Sequence, residues 1–130
     1  MRSTSPYKTS TGPLSTILDS GMDLQLSSVS VAYTSTATVG NRQVVLQILN
    51  PSNQVIAQFS AGMTQAASLV RRYNFSNVGV REAAAVNGEV VVPIPKPLLL
   101  NAGFTLKVYD SAAIDINDTM AVGIMAVTVN

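Results

Sequence analysis

The acidic side chains near the carboxyl end are the most concentrated set of groups in this sequence that could do chemistry. Asp110 is followed by Asp115, Asn117 and Asp118. Carboxylate and amide oxygens close together in sequence are what a calcium ion needs, and this cluster resembles the first half of a calcium-binding loop. The glycine at the sixth position and the glutamate at the twelfth are missing, however. The favoured interpretation is a polar loop whose side chains accept hydrogen bonds from turn amides, and no metal or cofactor is predicted.

The other concentrated set of chemical groups is the basic doublet Arg71 and Arg72, which Tyr73 follows. In a strand, consecutive side chains point to opposite faces, so Arg71 shares a face with Tyr73 and Phe75. Arginine is favoured in interfaces because its guanidinium binds carboxylates with two hydrogen bonds. We therefore predict Arg71, Arg72 and Tyr73 as partner-binding residues, and a solvated strand edge stays open as the alternative.

Several catalytic classes are excluded by composition. The chain has no His and no Cys, which removes histidine general bases, thiol nucleophiles, disulfides and the usual metal ligands. A glycosidase needs two carboxylates facing one cleft, and the sequence offers no Trp to bind a sugar ring. We expect a protein that is not an enzyme.

The charge balance predicts protein partners. The 130 residues suffice for one domain, and 12% are charged while 47% are hydrophobic. The net charge of +1 comes from scattered residues, so no nucleic-acid partner is predicted. The apolar runs Val90–Pro95 and Ala121–Val127 are too short to span a membrane, and the first residues contain no apolar stretch typical of a secretory signal.

The amino-terminal residues differ from the rest of the chain. Residues 1–16 are dominated by Ser, Thr and Pro, so regular structure is not expected there. We predict an extended arm over residues 1–23, with Arg2, Tyr7 and Lys8 as candidate partner-binding residues, and a folded domain over residues 24–130.

From Leu24 onward, the sequence alternates with the period of a β-strand. Strict alternation places Val29, Val31 and Tyr33 on one face and Leu24 and Leu26 on the other. Asn50-Pro51-Ser52-Asn53 joins two further runs, Arg42–Leu49 and Gln54–Ala61, in the most distinct hairpin of the sequence. Other runs are predicted at Ala66–Phe75, Glu89–Ile94, Phe104–Asp110 and Thr119–Val129. Short strands with frequent turns predict an all-β fold, a jelly-roll β-sandwich of about eight short antiparallel strands.

One arrangement of these segments is similar to a known family. It includes Thr38–Ile48, the Asn50–Asn53 turn, Gln65–Ser68, Val92–Pro95, Leu98–Leu106 and Asp115–Asp118. Together they resemble the jelly-roll cement, or decoration, proteins of tailed-bacteriophage capsids, over about residues 24–130.

The resemblance implies a structural virion protein that binds the outer surface of the icosahedral head and stabilises contacts between major capsid subunits. It also implies homo-oligomers, of which a dimer is favoured over a trimer. Such a protein is made in the bacterial host cytoplasm. The alternatives are a virion receptor-binding or lectin-like module and a small neck or tail-completion protein.

Overall fold

The computed structural model describes residues 3–4, 7–11, 15–19, 23–77 and 89–128. These residues form eleven β-strands and no helix. The strands are β1 (Ser3–Thr4), β2 (Tyr7–Thr11), β3 (Ser15–Asp19), β4 (Leu24–Thr34), β5 (Val44–Leu49), β6 (Val55–Ser60), β7 (Val70–Ser76), β8 (Glu89–Pro93), β9 (Leu98–Leu100), β10 (Thr105–Asp110) and β11 (Thr119–Thr128).

The strands form two sheets. The larger, seven-stranded sheet has the order β1, β11, β4, β7, β8, with β2 also paired to β11 and β9 to β4. The four-stranded sheet has the order β3, β10, β5, β6. The predicted all-β, two-sheet architecture is therefore confirmed.

One strand pair differs from the predicted antiparallel arrangement. β7 and β8 run parallel, with Tyr73 opposite Val90. A parallel pair needs a connection of about a dozen residues or more, and residues 77–88 supply that length. The strand order of a jelly roll is not confirmed.

A hydrophobic core lies between the sheets. Its buried residues come from both sheets and include Val31, Leu46, Phe75 and Val122. The β-branched and aromatic composition of these strands suits the pleated surface on which they pack.

The buried face of β4 departs from strict alternation. Leu24 and Leu26 are buried, and so are Val29 and Val31. The pairing of β4 with β11 shifts between Met125 and Ala126, opposite Ser27. This β-bulge inserts one extra residue and turns both halves of β4 toward the core, so the prediction that they face opposite sides was wrong.

The predicted hairpin is confirmed. β5 and β6 pair antiparallel, and Asn53 N–H donates to the Asn50 carbonyl over 2.9 Å. The Asn50 side chain also accepts hydrogen bonds from the amides of Ser52 and Gln54 at 3.0 and 2.9 Å. A side chain that satisfies turn amides in this way is the reason Asn is favoured at this position.

The amino-terminal segments contain more regular structure than the sequence predicted. The backbone of Ser3–Thr4 and Tyr7–Thr11 pairs with β11, and that of Ser15–Asp19 pairs with β10. Threonine is itself a good strand former, which offsets its competing local hydrogen bonds. The division into an arm and a folded domain stays a prediction.

Candidate functional site

Three loops meet at one end of the sandwich, and we call this region the loop end. It consists of residues 35–43 after β4, residues 61–69 after β6 and residues 111–118 after β10. Thr34 pairs with both Thr119 and Val70, and an isolated bridge joins Arg42 to Gln65. The strand registers therefore deliver all three loops to the same place.

A buried ion pair connects the first of these loops to the last. Arg42 Nε donates to Asp118 Oδ2 over 2.9 Å, and Nη2 donates to Oδ1 over 3.2 Å. Both side chains have 0% exposure. Arg42 Nη1 also donates to the carbonyls of Thr38 and Gly40 at 2.9 and 2.7 Å, which fixes the shape of the loop that carries it.

The pair shifts the pKa of each partner. The hydrogen bond from Arg42 to Asp118 raises the pKa of the guanidinium, against the opposing effect of burial. Burial raises the pKa of Asp118, but hydrogen bonds from Arg42, the Thr36 amide and Tyr33 outweigh it and hold that pKa below its ordinary value. Asp118 is therefore an ionised carboxylate inside the protein.

The hydroxyl of Tyr33 joins this pair to a second buried carboxylate. It lies 2.9 Å from Asp118 Oδ2 and 3.0 Å from Asp110 Oδ2. Asp110 Oδ1 in turn accepts hydrogen bonds from the amides of Gln43 and Ala112. Burial, together with the two carboxylates, raises the pKa of Tyr33 far above its usual range, so its proton stays in place between them.

Gln65 fastens the middle loop to the core. Its Oε1 accepts a hydrogen bond from the Tyr73 hydroxyl over 3.0 Å, and its Nε2 donates to the carbonyls of Tyr33 and Leu69 at 3.1 and 3.0 Å. The neighbouring Ser35 hydroxyl donates to the Ala66 carbonyl over 2.7 Å. Within the described residues, no buried side-chain polar atom lacks a partner. A fully satisfied network of this kind rigidifies the loops that it joins.

Asp115 holds the outer part of the last loop. Its Oδ2 accepts hydrogen bonds from the hydroxyls of Thr36 and Thr38 at 2.5 and 2.6 Å, and its Oδ1 accepts one from the Asn117 amide at 2.8 Å. These hydrogen bonds lower the pKa of Asp115 to about 2. The contacts are those of the polar-loop interpretation. In the part of the chain that the structure describes, no cluster of three or more ligating side chains forms a metal site.

Several apolar side chains at the loop end are exposed to solvent. Val39 is 90% exposed, Ile116 71%, Val70 69% and Leu69 37%. The Arg42 and Asp118 charges at the same end of the sandwich are buried. A rigid surface with exposed apolar side chains is the arrangement that protein contacts use, because a partner removes those side chains from water.

The predicted partner-binding residues Arg71, Arg72 and Tyr73 differ in how far they are buried. Arg72 is exposed, and Arg71 is partly buried with its Nη1 donating to the Thr64 carbonyl over 2.9 Å. Tyr73 is fully buried, and burial raises its pKa although Arg71 opposes this. Tyr73 therefore belongs to the core and the Gln65 network, because β7 turns its side chain inward. Its prediction as a surface contact is corrected.

Of the amino-terminal candidates, the structure describes only the backbone of Tyr7 and Lys8. The backbone of Tyr7 and Lys8 pairs with Gly123 and Val122 in β11. Arg2 lies outside the described residues.

Sequence reasoning missed Arg42, Tyr33 and Gln65 as parts of a site. The sequence feature that could have indicated Tyr33 is its position at the end of an alternating run. For Asp118, that feature is the acidic cluster. No spacing in the sequence links Arg42 to either of them.

Comparison with known proteins gives distant structural likeness. No protein-family profile matches the chain, and no curated protein matches it. A chain in the structure of infectious bursal disease virus, Gx strain, is 16% identical with a TM-score of 0.41, over 98% of this chain and 29% of that one. A chain in the crystal structure of the T13 particle of that virus is 12% identical with a TM-score of 0.43, over 98% of this chain and 31% of that one.

A hydrolase is similar to the same degree. A CocE/NonD family hydrolase from Staphylococcus aureus is 8% identical with a TM-score of 0.40, over 97% of this chain and 33% of that one. The chain thus spans about a third of the length of these solved chains. Among the residues that the structure describes, no helix combines the length and apolar character needed to cross a membrane.

Proposed function

We propose that this protein is a structural component of a virion, a capsid cement protein that binds the outer surface of a bacteriophage head through its loop end. The observation that carries the proposal is the pairing of exposed apolar side chains, Val39 and Ile116 above all, with a buried network that holds their loops in one shape. The virion setting comes from the sequence resemblance. The partner is the major capsid protein.

The chemistry of the loop end suits a binding role. Three of the polar side chains there, those of Arg42, Asp118 and Tyr33, are buried and hydrogen-bonded in one network. They therefore stabilise the loops, and the apolar tips are the side chains that we assign to contact with a partner. Pre-organised tips lose little conformational entropy on binding. Arg72, which is exposed beside Val70, supplies a positive charge at the rim of this surface.

Many weak contacts suffice for a cement protein. Copies that occupy equivalent sites on a shell, or that bind as oligomers, gain affinity through avidity. In the proposed complex, Arg2, Tyr7 and Lys8 remain candidates for additional contacts from the amino-terminal segment.

Co-sedimentation with heads of the virus that encodes this protein tests the proposal. The purified protein should bind mature, DNA-filled heads at a fixed copy number per shell and should not bind unexpanded procapsids. The double variant Val39→Ser, Ile116→Ser should bind about tenfold more weakly or worse, since each buried apolar side chain contributes about 1.5–3 kcal/mol.

A matched variant distinguishes the loop end from general apolar exposure. Leu99 and Met125 are 46% and 59% exposed and lie in strands away from the loop end. The double variant Leu99→Ser, Met125→Ser should bind heads as the unmodified protein does. Absence of binding to mature heads, or equal losses in both double variants, would overturn the proposal.

A further inference from the structure

The four-stranded sheet ends at β6. Among the described residues, β6 has β5 on one side and no strand on the other. Ala61 N–H donates to the Val44 carbonyl over 3.0 Å, so the backbone of Ala61 faces β5. In an antiparallel pair, successive residues face the partner alternately. The N–H and C=O groups of Gln58 and Ser60 therefore point away from β5, in the plane of the sheet and toward its edge.

This edge lacks the usual protection against pairing with another strand. Edge strands are normally guarded by lysine, other charges or proline. Residues 43–70, which include β5 and β6, contain no charged residue, and their only proline is Pro51 in the hairpin turn. A β-bulge at Ile56 interrupts only the start of β6, and the register from Ala57 to Ser60 is regular.

The side chains of β6 also leave its edge accessible. Val55 and Ile56 are 50% and 52% exposed. The Gln58 side chain lies across the outer face of the sheet, where its Oε1 accepts a hydrogen bond from Gln47 Nε2 over 2.6 Å. Phe59 packs partly against the core.

We infer that β6 is a dimerisation edge, which pairs antiparallel with β6 of a second copy of this chain. A two-fold axis beside Phe59 aligns Gln58 of each copy with Ser60 of the other, and four main-chain hydrogen bonds form. The four-stranded sheets of the two copies then form one continuous sheet of twice the width. A second copy is the partner because an uncharged edge offers no charge to select a different strand, whereas a two-fold axis matches this edge with itself. The inference does not rest on the proposed function.

Sedimentation velocity of the full chain at increasing protein concentration tests this inference. The unmodified protein should convert from monomer to dimer, and the amides of Gln58 and Ser60 should become protected from hydrogen exchange as the dimer forms. Ser60→Pro removes an outward N–H and should raise the dimer dissociation constant about tenfold or more, because each dimer loses two hydrogen bonds.

Charge variants supply the matched control. Ser60→Lys places two like charges across the two-fold axis and should also weaken the dimer. Ser52→Lys adds the same charge in the hairpin turn and should leave the dimer unchanged. Circular dichroism and thermal unfolding establish that each variant is folded. A monomer at every concentration overturns the inference, and so does a dimer that Ser60→Pro and Ser60→Lys leave intact.

Discussion

Arg42 and Asp118, which are 76 positions apart in sequence, form a salt bridge of 2.9 Å with both side chains withdrawn from solvent. Arg42 lies just before β5 and Asp118 just before β11, so one contact connects the two sheets at the loop end. A buried pair gains little net stability over apolar residues of the same shape, because both charges lose their hydration. Loss of one partner is costly, however, since the other charge is then left buried alone.

Asp118→Asn should therefore destabilise the protein by about 3–5 kcal/mol. The substitution keeps the size of the side chain but removes the charge, and Arg42 then has no anion in contact with its Nε. Urea unfolding followed by circular dichroism measures the change in the free energy of unfolding.

Asp23→Asn is the matched control for this substitution. The Asp23 carboxylate is exposed and accepts a hydrogen bond from the Ala102 amide over 2.8 Å, which an asparagine oxygen also accepts. Its effect should stay within about 0.5 kcal/mol. Equal effects of the two substitutions would contradict the role assigned to the Arg42 pair.

Tyr33→Phe should destabilise the protein by about 2–3 kcal/mol. The hydroxyl lies within 3.0 Å of the carboxylates of both Asp110 and Asp118, and its loss removes a hydrogen-bond donor from this buried pair of acidic side chains. Tyr109→Phe removes a hydroxyl from the partly exposed outer face and should have a much smaller effect. Comparable urea midpoints for the two variants would refute this account of Tyr33.

Stability should fall as the solution becomes acidic. The pKa of Asp115 is about 2 in the folded protein against an ordinary value of 3.8, and that of Asp118 is also lowered. A carboxyl with a lowered folded pKa stabilises the fold when ionised. This contribution is present above the unfolded pKa and is lost as the pH falls through the folded pKa.

The measurement is urea unfolding at several pH values between 4 and 2, the window set by the pKa of Asp115. The free energy of unfolding should decrease across this window, and Asp115→Asn should make the decrease shallower, because the substituted side chain cannot titrate. A variant with an unchanged pH dependence would show that Asp115 is not one of the groups responsible.

The positions of the alternating strands were predictable from the sequence because alternation and turn residues are local signals. The hairpin at Asn50–Asn53 is an example, since the hydrogen bonds that shape its turn join residues only a few positions apart in sequence. The bulge at Ser27 was not predictable. It depends on the pairing of β4 with β11, a contact between distant segments that no local pattern in β4 contains.

The candidate site was predictable only in part, for the same reason. The acidic cluster and its polar-loop character follow from local spacing. The assembly of Arg42, Tyr33 and Asp118 follows from the sheet order and register, which bring residues from three strand ends together. The exposure of Val39 and Ile116 is likewise a product of loop shape, because their sequence neighbours would suit either surface or core.

Gly40→Ala should disturb the loop that carries Arg42. Gly40 has a φ of 145°, a conformation that side chains disfavour. A Cβ atom there would lie 2.8 Å from Ile114 Cδ1 and 3.1 Å from Cγ2. The Gly40 carbonyl also accepts a hydrogen bond from Arg42 Nη1 over 2.7 Å. Backbone strain and crowding together should lower the free energy of unfolding by about 2–3 kcal/mol.

Two comparisons separate strain from crowding in Gly40→Ala. Gly103 also has a positive φ, of 87°, but a Cβ there would meet only Pro51 Cγ at an ordinary 3.6 Å. Gly103→Ala should therefore cost less than Gly40→Ala. In an Ile114→Ala background, Gly40→Ala should cost less than in the unmodified protein and still more than zero, because the crowding is relieved while the strain persists. Equal costs of Gly40→Ala in the two backgrounds would show that Ile114 does not constrain this loop.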